Sequence, residues 1–181
     1  MSKATSGIRS RALLEILCYI AEGLRLNRAK LEVEDKGREV GKEQGLINGY
    51  KELLAMIMGV FHITQPVFDD LYENGSEHDS VPEMDDDVLD DMIASRDNLV
   101  VMDEWKIVLD RIKVKEDYEK QCLWLEADTT RELDLAHGLR DGMNCFRPFF
   151  DLLDSEKEVR RKKEEKRRQK ESLFGGDAGK K

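Results

Sequence analysis

Glycine recurs every fourth residue at Gly37, Gly41, Gly45 and Gly49, inside a stretch whose other residues favour a helix. Apolar residues keep a seven-residue period through the same stretch, at Val33, Val40, Ile47, Leu54 and Phe61. That period belongs to a helix seam and not to a loop. Four glycines in a helix interior cost about 1 kcal/mol each relative to alanine, so something must offset about 4 kcal/mol. Residues four apart share a helical face, and the glycines therefore form a smooth ridge that another backbone can approach closely. The alternative is a fraying segment with Gly37 as a C-cap. Such a chain speaks first about architecture and contact surfaces, and names no reaction.

A length of 181 residues suits one domain or two small ones. Charged residues make up 38% of the chain, with three prolines and a mean hydropathy of -0.60. This profile favours long, solvent-washed helices over a thick core. The net charge of -9 is unevenly placed: residues 156–181 carry a net +5, which leaves -14 on residues 1–155. The acidic body repels nucleic acid, whereas the basic tail attracts it or an acidic protein surface. Cys18, Cys122 and Cys145 are odd in number and lie among apolar neighbours, as reduced packing residues do. The longest apolar run, Leu53 to Phe61, is far short of the roughly 20 residues a membrane span needs. Lys3, Arg9 and Arg11 ahead of Ala12–Ala21 imitate a signal peptide, but Glu15 interrupts the run and no small-residue cleavage site follows. A cytoplasmic location is expected.

The fold class expected is all-α: two helical hairpins with Gly-x-x-x-Gly contact faces, an acidic linker, and a charged C-terminal helix. The N-terminal hairpin covers 1–62. Its first helix carries Leu13, Leu17, Ile20, Leu24, Asn27 and Leu31 at alternating spacings of four and three. Asn27 on that seam either fixes register or oligomeric state, or lies at a frayed edge. The seam shifts phase at Leu31–Val33, which places a bend near Glu34–Gly37 before the glycine-bearing helix. Residues 63–99 are expected to be an acidic linker with short helices, one started by Thr64 and Pro66 and ended by Asn74-Gly75, another opened by Ser80-Val81-Pro82 and running through Ile93 with Met84, Val88 and Met92 on one face. Between Asp69 and Asp91 there are eleven acidic residues and no Lys or Arg. Asp85, Asp87 and Asp90 cluster there without the glycine and terminal glutamate of a calcium loop. The second hairpin is expected over 100–147, with Trp105, Val108, Ile112, Cys122 and Leu125 as apolar positions of its first helix. A capping box at Thr129 and Glu132 starts its second helix, which stops before Pro148. Pro148 then opens the C-terminal helix and basic tail, 148–181.

A shift of 93 residues superposes Asp35-x-x-Arg38-Glu39 on Asp128-x-x-Arg131-Glu132, and Gly45-Leu46-x-x-Gly49-Tyr50 on Gly138-Leu139-x-x-Gly142-Met143. Gly37 and Gly41 have no glycine counterpart, so only the distal half of the ridge is shared. The run Glu104-Trp105, Leu123-Trp124-Leu125-Glu126 and Gly138-Leu139-Arg140-Asp141-Gly142 resembles small helical-hairpin proteins of tailed bacteriophages. That resemblance implies a virion or assembly component without catalysis, located in the host cytoplasm or the virion.

No convergent chemistry emerges from the remaining motifs. His62, read as a partly buried structural residue, His78 and His137 lack His or Cys partners at metal-binding spacing, and no phosphate loop or nucleophile motif is present. No enzyme activity, cofactor, metal or small-molecule substrate is expected. The basic run contains Arg160, Arg161, Lys162, Lys163, Lys166, Arg167 and Arg168, with Glu156→Arg160, Glu158→Lys162 and Glu164→Arg168 in the favourable four-residue order. It is either a solvated charged helix with no partner or an electrostatic dock for nucleic acid or an acidic protein surface. It lacks the aromatic residues that stack on bases. Leu173 and Phe174 beyond it make a short docking peptide on a glycine-flanked terminus. The expected contact residues are thus Asn27, the glycines Gly37, Gly41, Gly45, Gly49, Gly138 and Gly142, this basic run, and Leu173 and Phe174. The function expected is structural, assembly or adaptor work through protein–protein contacts, self-association included. The alternative is a nucleic-acid-associated regulator that uses the tail.

Overall fold

A computed structural model of the chain describes residues 8, 10–33, 39–74, 85–122 and 129–174. Seven helices and no strand appear among them: α1 (Arg11–Val33), α2 (Glu39–Phe61), α3 (Gln65–Asn74), α4 (Asp86–Val101), α5 (Asp103–Cys122), α6 (Thr130–Met143) and α7 (Arg147–Phe174). The all-α expectation holds. Gly37 and the bend at 34–37 lie outside the described residues.

α1 buries the stripe that its spacing lays out. Leu13, Leu17, Ile20, Leu24 and Asn27 are all buried, and Ala12, Ile16 and Ala21 widen the stripe into a core-facing band. α2 supplies Ile47, Tyr50, Leu53, Leu54 and Ile57 to the same core. Gly23 of α1 leaves room for the Tyr50 ring, whose nearest atom would meet an added Cβ at 2.5 Å.

The other face of α2 is the glycine ridge, and it is occupied by α6. A Cβ added at Gly45 would sit 2.9 Å from the Gly138 α-carbon and closer still to the Leu135 carbonyl oxygen. One added at Gly49 would sit 2.8 Å from the Gly142 α-carbon. Gly41 faces the Arg131 carbonyl at 3.1 Å and Asp134. Contacts advance together along both helices, so α2 and α6 run parallel. Each pairing spans 93 positions, the offset of the internal repeat. Equivalent residues of the two copies therefore face each other, as in a symmetric pair of helices. α1 packs on α2 as the first expected hairpin requires, whereas α6 lies chiefly against α2 and only lightly against α5, so the second hairpin does not close on itself.

Short-range chemistry sets the remaining boundaries. His62 takes φ 53 after α2, a position glycine usually fills, and the Ile63 N–H donates to the Met58 carbonyl at 3.0 Å. His62 is exposed there, not partly buried as its apolar neighbours suggest. α3 spans the short helix expected between Pro66 and Asn74. The Thr129 capping box forms, with Glu132 N–H donating to Thr129 Oγ1 at 3.3 Å and Thr129 N–H to Glu132 Oε2 at 3.0 Å. Pro148 sits in the first turn of α7, where its missing N–H costs nothing.

The stretch 63–99 departs most from expectation. α4 runs to Val101, and the single extended residue Met102 separates it from α5. α4 buries Leu89, Met92, Ile93, Arg96 and Leu99 against its neighbours, so this part of the acidic stretch is core and not a solvated linker. Its carboxylates occupy the outer face. Residues 75–84 lie outside the described residues.

The close approach at the ridge is open to a paired test. Gly45→Ala should lower stability by about 2–3 kcal/mol, because the obstructing atoms are backbone and cannot swing away. Gly59→Ala, whose Cβ would meet only Arg111 Nη1 at 4.0 Å, should raise stability by up to about 1 kcal/mol through helix propensity. Thermal melts of both variants decide the matter; a rise in Tm for Gly45→Ala would mean that the helices are not in backbone contact.

Candidate interaction surfaces

Two of the expected contact groups are consumed inside the chain. Gly41, Gly45, Gly49, Gly138 and Gly142 form the α2–α6 contact. Asn27 is 7% exposed and donates from Nδ2 to the Gly23 carbonyl of its own helix at 2.8 Å. That bond satisfies the amide without a partner across a seam, so the register-fixing role has no cross-helix bond here. Leu173 and Phe174 end α7, and their side chains lie outside what the structure describes.

The basic helix is divided by its surroundings. Its first turns are anchored, because Phe149 and Leu153 enter the core and Phe150 packs among Trp105 and Phe146, with ring centroids 5.9 and 5.4 Å away. Arg96 of α4, 8% exposed, lies over the Phe150 ring at 6.0 Å and pairs closely with Asp154. Lys157 Nζ reaches Asp97 Oδ2 at 2.5 Å. Arg160 clasps both Asp86, at 2.5 Å, and Asp90. The basic residue expected to pair with Glu156 within its own helix is thus taken by α4. Asp154, Lys157 and Arg160 recur every third residue on one face, and α4 answers each with the opposite charge.

Past Arg160 the helix leaves the body. Every residue from Arg161 to Glu171 is exposed. Here the expected pairs form within the helix: Lys162 with Glu158 at 3.4 Å and Arg168 with Glu164 at 2.7 Å, joined by Arg161 with Glu158 at 2.9 Å. Hydrogen bonds from Arg161 hold the Glu158 carboxyl down at about 2. Lys163 and Lys166 make no ion pair among the described residues. Lys163 and Arg167 continue the face on which Arg160 grips α4, and with Asp86 and Glu156 they border an open polar trough of about 360 Å³.

The structure offers no metal centre among the described residues: no three His, Cys, Asp or Glu side chains converge. No described helix is long and apolar enough to cross a membrane. Burial pushes the Cys145 thiol up to about 12 and the Cys18 thiol up to about 11, as suits packing residues. The Tyr50 phenol rises to about 12 for the same reason. Comparison with known protein families, curated proteins and solved structures finds no match to this chain.

Sequence reasoning missed one surface. Ile107, Val114 and Tyr118 of α5 are exposed apolar side chains at helical spacing, apart from the buried positions Trp105, Val108 and Ile112. The spacing of seven and four through Ile107, Val114 and Tyr118 is the signal that could have found them.

Two outcomes test these placements. Asp154→Asn leaves the buried Arg96 with only Asp97 at 3.4 Å and should cost about 2 kcal/mol. Asp86→Asn, on a 94% exposed side chain, should cost under about 1 kcal/mol; urea unfolding of both variants measures the difference. The raised thiol and phenol values predict an alkaline limit. These groups are neutral in the fold and ionise near their ordinary values of 9.0 and 10.0 once unfolded. Their contribution is therefore full below about pH 9 and is lost as pH rises toward the folded values. Tm should be level from pH 7 to about 8.5 and fall above about 9, and native Cys18 and Cys145 should resist iodoacetamide.

Proposed function

We propose that this chain is a non-enzymatic structural, assembly or adaptor protein that works through helix-mediated protein contacts, of the kind that tailed phages build into virions or use to assemble them. The glycine-locked body acts as a rigid mount, and the exposed half of α7 is its docking arm. The observation that carries this reading is the grip of Lys157 and Arg160 on the carboxylates of α4. It supports acidic side chains spaced along a helix as the surface that the arm's chemistry fits. The next cations on the same face, Lys163 and Arg167, extend that grip beyond α4 toward a partner.

A second reading is favoured by the seven Lys and Arg residues between 161 and 170, all exposed. Such an arm also fits a phosphate backbone, in a nucleic-acid-associated regulator. The net -14 on residues 1–155 opposes the approach of a duplex and favours a protein partner.

Truncation after Arg161 separates the readings, since it keeps the Arg160 clasp and removes the free arm. The full chain should bind polyglutamate at about 50 mM salt and release it near 300 mM, where screening shortens to roughly 6 Å. The truncated chain should lose that binding with its helicity over residues 11–160 intact. Retained binding after truncation would remove the arm from the function. Tighter binding to duplex DNA than to polyglutamate would establish the second reading in its place.

A further inference from the structure

The α2–α6 contact closes the glycine ridge, so any association of this chain with itself must use another face. α5 provides one. Ile107, Val114 and Tyr118 are 45%, 71% and 59% exposed. With half-buried Met56 of α2 they line an open apolar groove of about 520 Å³. Spacings of seven and four place the three α5 side chains on one stripe, with Arg111 between them.

We infer that this stripe is a two-fold interface with a second copy of the chain, α5 packing antiparallel on α5. Charge selects that occupant. Arg111 lies at the middle of the stripe and Asp110 on its flank, and their side chains make no ion pair or hydrogen bond among the described residues. About a two-fold axis through the stripe, Ile107 of one copy meets Tyr118 of the other, and Arg111 lies against Val114. Each Arg111 then reaches the Asp110 of the opposite copy, so one pair of unpaired opposite charges becomes two ion pairs. An isologous contact needs this self-complementarity, since the same patch must be both donor and acceptor.

Four apolar side chains per copy make a small interface, under about 1,200 Å² in total, which suits a reversible dimer of roughly micromolar affinity. Met56 at the edge lets each α5 rest against the α2 of its own chain while it meets the other copy. The arm on α7 takes no part, so the inference stands apart from the identity of the arm's partner.

Sedimentation velocity of the full chain, from about 1 to 200 μM, reads the association directly. The expected result is a monomer–dimer equilibrium. Val114→Asp should leave a monomer with an unchanged melting curve, because that side chain contacts little in its own chain. Asp110→Arg and Arg111→Asp should each weaken the dimer about tenfold, and the double variant should restore it, since the swap preserves both cross-pairs. A wild-type chain that stays monomeric throughout overturns the inference. So does a dimer unaffected by Val114→Asp, and a double variant no stronger than the singles overturns the two-fold pairing.

Discussion

Between Gly45 and Gly138 the backbones of α2 and α6 come so close that a methyl group on either would strike the other. A Cβ on Gly138 would stand 3.0 Å from the Gly45 α-carbon, and one on Gly142 3.0 Å from that of Gly49. Glycine weakens both helices in isolation, by about 1 kcal/mol per residue. What offsets the loss is contact along two helical turns: dispersion between packed backbones, and α-carbon hydrogens directed at carbonyl oxygens such as those of Leu135 and Leu139. Neither helix repays its glycines alone. The pairing brings two segments 93 residues apart into one register, and it fixes where everything between them must go.

Three helices fill that interval, and their placement follows from the ridge. With one face of α2 against α6, its apolar face is left for α1, and α5 takes a third side. α1 in turn accepts α3 and α4. α4 then presents an outer row of carboxylates to α7, which is anchored by Phe149, Leu153 and the Arg96–Asp154 pair. The two attachments of α7 differ in kind. At its base the burial of Phe149 and Leu153 is apolar, and salt has little effect on it. At Lys157 and Arg160 they are near the surface, each worth at most about 1 kcal/mol and weakened by salt.

Features set by neighbours in sequence were legible. The α1 stripe, the Thr129 capping box and Pro148 in the first turn of α7 all follow from short-range rules. The four-residue glycine spacing announced a close contact, and the repeat offset held its register, although nothing in the sequence said that the two copies face each other. α4 was legible only in part: a short helix through Ile93 with Met92 on its apolar face was expected, but the eleven acidic residues from Asp69 to Asp91 hid its burial and its extension to Val101. Arg160 was misassigned because a same-helix glutamate is always within view, and the tertiary carboxylates of Asp86 and Asp90 are not. The α5 stripe was hidden for the same reason. Ile107, Val114 and Tyr118 have the composition of core residues, and only the burial of Trp105, Val108 and Ile112 shows that the core lies on the other side of α5.

Charge separation along the chain has a consequence for what the arm can bind. Lys157 and Arg160 are neutralised by α4, and Arg161, Lys162 and Arg168 are partly neutralised by glutamates of their own helix. Lys163, Lys166 and Lys170 remain, at spacings of three and four, with Arg167 held only loosely to Glu171 at 3.5 Å. The free charge is therefore a short ridge and not a broad basic field. A duplex is held by many phosphate contacts, each releasing counterions. A ridge of four cations offers few such contacts, which weighs toward the acidic protein surface proposed above. On the acidic body, Lys157 and Arg160 offset part of the carboxylate row of α4 where α7 lies nearest to it.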